Sequence, residues 1–252
     1  MILLKSPAEV REMVHPGEIA AGAHRKVREI VRAGITTKEI DRIVEDYIRE
    51  RGASPAFKGY RGFPASVCAS VNDEVVHGIP GERLLVEGDI VGVDIGVKSG
   101  GFYSDAAQTL PVGRISQEAE RLLAVTRGAL YAGIGEARLG HRVGDVSWAI
   151  QSFVERAGFS VVRSLVGHGI GRSMHEEPQV PNFGKPGQGP ELKAGMAIAI
   201  EPMVNAGGFD VEVLDDAWTV VTADGSLSAH FEHTVVITED GPVILTEGAV
   251  PA

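Results

Sequence analysis

Asp94 and Asp105 are the first residues whose placement suggests chemistry. They lie in DIVGVDIGVKSGGFYSDAAQTL, residues 89–110. This stretch reads as a β-hairpin. Its first arm, 90–98, is rich in Val and Ile, and its second, 102–110, carries Phe, Tyr and Thr. Ser99, Gly100 and Gly101 supply the turn. With Ser99-Gly100 as a two-residue loop, Asp94 falls opposite Asp105. Side chains so opposed have Cβ atoms roughly 4.5–5.5 Å apart, and like charges there repel. A divalent cation between them would turn the repulsion into ligation. The alternatives are that one Asp caps the turn, or that a bulge offsets the pair.

Further candidates follow in the second half of the chain. Gly167-His168-Gly169-Ile170-Gly171-Arg172 resembles a glycine-rich phosphate loop, but no amphipathic helix opens after it. The glycines rather let the backbone pass close to a neighbour while His168 points inward. His175 follows in His175-Glu176-Glu177-Pro178-Gln179, which is not a zincin helix, since its fifth residue is Gln and Pro178 breaks a helix. Glu201 closes the apolar run 196–200, and Glu232 opens another Val/Ile strand. A buried ionised carboxylate is costly unless paired or metal-bound. The surrounding sequence, 194–204 and 226–238, holds no Lys or Arg to pair with either. Taken together, Asp94, Asp105, His168, Glu201 and Glu232 form an oxygen-rich set without sulfur. Such a set suits Mn, Fe, Co or Zn in a hydrolytic site. Its four carboxylates balance two divalent cations.

The elements that must position these groups alternate in type. Ser6-Pro7-Ala8-Glu9 and Thr36-Thr37-Lys38-Glu39 are capping boxes that open two helices. Pro16-Gly17 is expected to kink or split the first. Ile40, Ile43, Val44, Tyr47 and Ile48 set the buried stripe of the second, and Gly52 stops it. Residues 53–64 read as a loop carrying Phe57, Tyr60 and Phe63. A strand over 66–76 bends at Asn72-Asp73 and leads to His77. Helices over about 116–131 and 144–157 follow, the latter with Val146, Ile150, Phe153, Val154 and Ala157 on its buried face. Short strands fill the remainder. The order helix, helix, strands, helix, helix, strands predicts an α+β fold of two similar α/β halves, about 1–110 and 111–252, in one catalytic domain.

Composition narrows the function. The chain has 252 residues, 44% hydrophobic and 23% charged, with a formal net charge of −10. The acidic balance argues against broad nucleic-acid or anionic-membrane binding. No apolar run reaches a membrane span, and MILLKSPAEVRE turns charged too soon for a signal peptide. Cys68 is the single cysteine, so neither an intrachain disulfide nor a cysteine-metal cluster can form. These features fit a reducing cytoplasm.

Five spaced stretches carry a resemblance over nearly the whole chain: SVNDEVVHGIP (70–80), DIGVKSGGFYSDA (94–106), GHGIGRSMHEEPQVPN (167–182), AIEPM (199–203) and HFEHTVVIT (230–238). Together they resemble the type I methionine aminopeptidases. That resemblance implies the pita-bread fold, two pseudo-symmetric halves around a dinuclear site, and removal of initiator methionine where the second residue is small. It implies that Asp94 binds one of two divalent ions (Co, Mn, Fe or Zn), that Asp105 and Glu232 bridge both, and that His168 and Glu201 complete the second. Glu201 would also take the proton of the attacking water, and His77 and His175 would contact the scissile group. The methionine pocket would comprise Phe57, Tyr60, Phe63, Cys68, Met174 and Trp218. An alkali-metal site is implied near Asn72 and Ser228. The implied partners are nascent polypeptide N-termini at the ribosome, and the implied state is a cytoplasmic monomer. The absence of a zinc-finger extension before Ser6 and of a long insertion between His175 and Glu201 points to type I rather than type II. The competing readings are a Xaa-Pro aminopeptidase or prolidase, and a non-catalytic binding protein on the same scaffold.

Overall fold

The computed structural model describes residues 1–250. Helices α1 (Pro7–Ile30) and α2 (Thr37–Glu50) precede one set of strands, and α3 (Gln117–Glu136) and α4 (Val143–Arg156) precede another. Every strand pairing among the described residues is antiparallel. That pattern, with helices packed against antiparallel sheets, is α+β rather than doubly wound.

Local sequence starts the helices. Ser6 and Thr36 each accept a hydrogen bond from the N3 amide, while the Glu9 and Glu39 carboxylates accept one from the cap amide. Both capping boxes therefore satisfy two amides that would otherwise lack partners. The expected break at Pro16 does not occur, and α1 is continuous through it. Pro16 and Gly17 are buried, and a Cβ at Gly17 would collide with the Leu245 carbonyl. Close packing thus holds the helix across the hydrogen bond that proline cannot make. On α4, Phe153 remains 38% exposed although its ring lies over Gly128 of α3.

The Ile90–Ser99 and Phe102–Pro111 strands form the central hairpin. Val91, Val93, Ile95 and Val97 face α1 and α2 in one core cluster, together with Val27, Ile40, Val44 and Ile48. Strand alternation then turns Asp94 to the opposite face. In the second half, α3 and α4 cover Ile198, Ile200, Val235 and Ile237. Paired amides and hydroxyls stitch the halves together. Glu232 N–H donates to the Ala107 carbonyl at 2.9 Å, and the Thr234 hydroxyl donates to the Asp105 carbonyl at 2.8 Å. The Thr109 hydroxyl donates to the His230 carbonyl at 2.9 Å. These contacts place the strand entry that carries Glu232 directly against the strand of Asp105. No helix among the described residues is long and apolar enough to cross a membrane.

Candidate metal centre and active site

The hairpin closes two residues from the expected register. Gly100 and Gly101 form the loop, with φ of +59° and +84°, and Ser99 pairs with Phe102. A type I′ turn needs positive φ at both central residues, which two glycines accept and Ser99 would resist. Asp94 therefore pairs with Ala107, and Asp105 with Gly96. A shift of two keeps parity, so the aspartates remain on one face as diagonal neighbours. Each is close enough to bear on the ionisation of the other. Gly96 opens the space beside them: a Cβ there would press on Phe57, Ala56 and Met174.

Three other backbone positions bring in the remaining groups. His168 lies on the Val166–Gly169 strand, whose Gly169 pairs with Ile198. Glu201 follows the Ala197–Ile200 strand, which pairs Ile200 with His233 and so sets Glu201 beside Glu232. The glycines around His168 admit close backbone neighbours, as the sequence suggested. A Cβ at Gly167 would meet the Ala199 carbonyl, and one at Gly169 the Glu177 carbonyl. One ligand atom each from Asp105, His168 and Glu232 lies within 4.8 Å of the others. Nε2 of His168 stands 3.5 Å from Glu201 Oε1. Nδ1 of His168 is 2.9 Å from the Gly169 carbonyl. Donation there leaves the Nε2 lone pair directed at the acidic cluster.

The electrostatics of this cluster are severe. Burial pushes the Asp105 carboxyl up to about 7 and raises those of Asp94, Glu201 and Glu232 well above the usual range; neighbouring carboxylates raise Asp94, Glu201 and Glu232 further. Asp94 Oδ1, Asp105 Oδ1 and Glu232 Oε1 are enclosed without a hydrogen-bond partner. Buried acceptors without partners are rare and costly. A divalent cation satisfies them and removes the mutual repulsion, so the donor set fits the metals suggested by the sequence. Nitrogen and oxygen donors without sulfur suit Mn, Fe, Co or Zn alike.

All five acidic and imidazole groups line one cleft of about 270 Å³, together with His77, His175, Phe57, Tyr60, Phe63, Cys68 and Trp218. Burial lowers the His175 imidazole to about 4, helped by the nearby charges of His168, Arg61 and His77. His77 is likewise lowered by burial. Both rings are therefore neutral near pH 7. The Tyr60 hydroxyl lies 2.9 Å from His175 Nδ1, and the two rings stack at 5.4 Å. His77 adopts φ +59° and meets Trp218 edge-on at 6.3 Å.

Met174 is the exception among the expected pocket residues. It does not line the cleft but packs behind Phe57, Phe63 and Cys68, where its flexible side chain fills the gap over Gly96. Asn72 and Ser228 also lie off the cleft, and Ser228 N–H donates to the Asn72 carbonyl at 2.8 Å. Sequence reasoning passed over two features. Arg61 lines the cleft within the aromatic segment already singled out. Lys5 reaches Glu176, next to His175, across 171 positions, with no local signal beyond a lysine ending an apolar run.

Comparison with known proteins places the geometry in a lineage. The model of metallopeptidase family M24 matches residues 11–239. A methionine aminopeptidase of Clostridium perfringens is 56% identical over 98% of this chain and 99% of its own length. Methionine aminopeptidase 1 of Bacillus subtilis is 53% identical with the same coverage. The crystal structure of a methionine aminopeptidase from Thermotoga maritima superposes with a TM-score of 0.96 at 47% identity, covering 98% of this chain and 99% of that one. A prolidase from Pyrococcus furiosus shares the fold at a TM-score of 0.80 and 22% identity, and this chain spans 65% of it.

Proposed function

Because the chain belongs to metallopeptidase family M24, of pita-bread fold, and within it to the methionine aminopeptidases, we propose that its cleft removes methionine from polypeptide N-termini whose second residue is small. Nascent chains leaving the ribosome in the cytoplasm are the natural source of such ends. The observation that carries the reading is the set of orphaned, buried carboxylate oxygens facing an apolar-walled cleft.

Asp94, Asp105, His168, Glu201 and Glu232 would hold two divalent ions, their four negative charges balancing the four positive ones. Ions held there would polarise the scissile carbonyl and lower the pKa of an attacking water. Glu201 reaches the cleft from a strand end and can accept that water's proton at a carboxylate oxygen, then pass it to the leaving amine. His175, neutral and held at Nδ1 by Tyr60, offers its other ring nitrogen as a donor to the substrate. His77, neutral as well, offers a second donor near the same cleft. Phe57, Tyr60, Phe63, Cys68 and Trp218 make an apolar slot suited to a flexible thioether, whose sulfur packs well on aromatic rings. Burial and the nearby carboxylates keep the Cys68 thiol protonated, so it serves as a wall.

A peptide panel tests this. Protein loaded with Mn or Co should release methionine from Met-Ala and Met-Gly peptides, far less from Met-Leu peptides, and no residue from Ala-Pro peptides. Preferential cleavage of Ala-Pro ends would move the chain to the prolidase-like readings. Absence of any release would make it a binding protein.

A further inference from the structure

Arg61 has no part in the chemistry above, yet its position is specific. It lines the cleft and is exposed, as is His175, so both stand at the rim. Its backbone is left-handed, with φ 49° and ψ 24°, between Gly59 at φ +82° and Gly62 at φ +91°. A side chain other than glycine resists that region, and such strain concentrates where a structure holds a functional group in place. The turn sets the Arg61 guanidinium 5.4 Å from the Tyr60 ring centre, and Tyr60 stacks at 5.4 Å on His175.

No carboxylate among the described residues pairs with Arg61. It is the one Lys or Arg lining a cleft that otherwise presents acids, imidazoles and apolar walls. A lone surface arginine is ordinarily just solvated. Here, however, the protein carries a net charge of −10, and two divalent ions would neutralise the four carboxylates below. Arg61 would then be the fixed charge that meets a peptide on its way out. An extended chain advances about 3.3 Å per residue. The two contacts of 5.4 Å put the guanidinium at most about three extended residues from His175 along the rim.

The geometry points to Arg61 as a specificity-determining residue that reads the third and fourth substrate residues, favouring an acidic side chain there by a charge-assisted hydrogen bond. This rests on the methionine-removing reading of the cleft and adds a substrate class to it: ends of the type Met-small-acidic.

Metal-loaded enzyme would be assayed on three C-terminally amidated peptides that differ at residue three: Met-Ala-Glu, Met-Ala-Gln and Met-Ala-Lys, each extended by two glycines. Amidation removes the competing terminal carboxylate. The expected kcat/KM for Glu exceeds that for Gln by about two- to fivefold, the range of an exposed ion pair. The gain should lie in KM and shrink in 0.5 M NaCl (~4 Å screening length). Arg61→Ala should bring the Glu/Gln ratio to about 1, Arg61→Lys should keep a preference, and Arg61→Glu should favour the Lys peptide. A wild-type ratio of 1, or a ratio that survives in Arg61→Ala, would overturn the inference. Failure to cleave all three peptides would instead overturn the proposed function.

Discussion

The ammonium of Lys5 lies 2.5 Å from Oε2 of Glu176, with 4% and 5% of the two side chains exposed. The other oxygen of Glu176 accepts Ser173 N–H at 3.0 Å, and Lys5 also donates to the Leu3 carbonyl at 3.1 Å. Glu176 adjoins His175, so a residue before α1 anchors the loop that presents His175 to the cleft. Removing one partner of a sealed pair leaves the other charged and buried, at about 3–5 kcal/mol. Lys5→Met should therefore lower the unfolding free energy by that order, and Lys5→Met with Glu176→Leu should recover much of it. Denaturant unfolding of the three proteins measures this. Equal stability of Lys5→Met and wild type would contradict it.

Tyr60 and His175 should act as one unit. A neutral hydrogen bond contributes about 0.5–1.5 kcal/mol, which corresponds to about two- to tenfold in rate. Tyr60→Phe should lower kcat by that factor with metal content intact. His175→Ala should cost more, roughly 2.7–4 kcal/mol of transition-state stabilisation if its donor meets developing charge. Tyr60→Phe should add little to the kcat loss of His175→Ala. Loss of metal from either variant would move His175 among the ligands.

The pH dependence of the metal-free protein follows from the buried carboxylates. Their folded pKa values are raised: Asp105 to about 7, and Asp94, Glu201 and Glu232 well above the usual range, chiefly by burial. The unfolded chain releases these protons near pH 4. Between that point and the folded values the native state binds more protons, so stability falls as pH rises. Buried histidines act oppositely: His24, His168, His230 and His233 are lowered to between about 3 and about 4 mainly by burial, and their contribution to stability grows as pH rises toward about 6.5. Above about pH 6.5 the carboxylates dominate, and the buried Cys68 thiol, also raised, acts in the same direction. Each proton held there costs about 1.4 kcal/mol per pH unit. Thermal melts in chelator should fall from pH 6.5 to 8.5, and added Mn should abolish the trend. A flat or rising metal-free curve would contradict the burial of protonated acids.

Much of this architecture was legible because the signals are local. Capping boxes need four consecutive residues, and Glu201 and Glu232 stand out because apolar strands without basic residues flank them. The hairpin register was misread since SGG offers two equally short loops, and only the positive φ of both central residues selects the glycine pair. Continuity of α1 through Pro16 is hidden from local sequence because the neighbouring Gly17 packs on Leu245, far along the chain. Met174 was placed in the slot by resemblance, whereas its position follows from the gap that Gly96 leaves. The Lys5–Glu176 pair and the rim position of Arg61 depend on tertiary closure and leave no trace in spacing.

Ions held by the buried carboxylates would make the cleft an aminopeptidase. The most direct test is metal content and Met-Ala peptide hydrolysis, measured on one preparation of wild type and of Asp105→Ala. Chelator-treated wild type should be inactive and should regain activity as Mn or Co is restored, saturating at two ions per chain. Asp105→Ala should retain neither ions nor hydrolysis at the same metal concentration. Full activity in chelated wild type, or wild-type metal content and turnover in Asp105→Ala, would contradict the account.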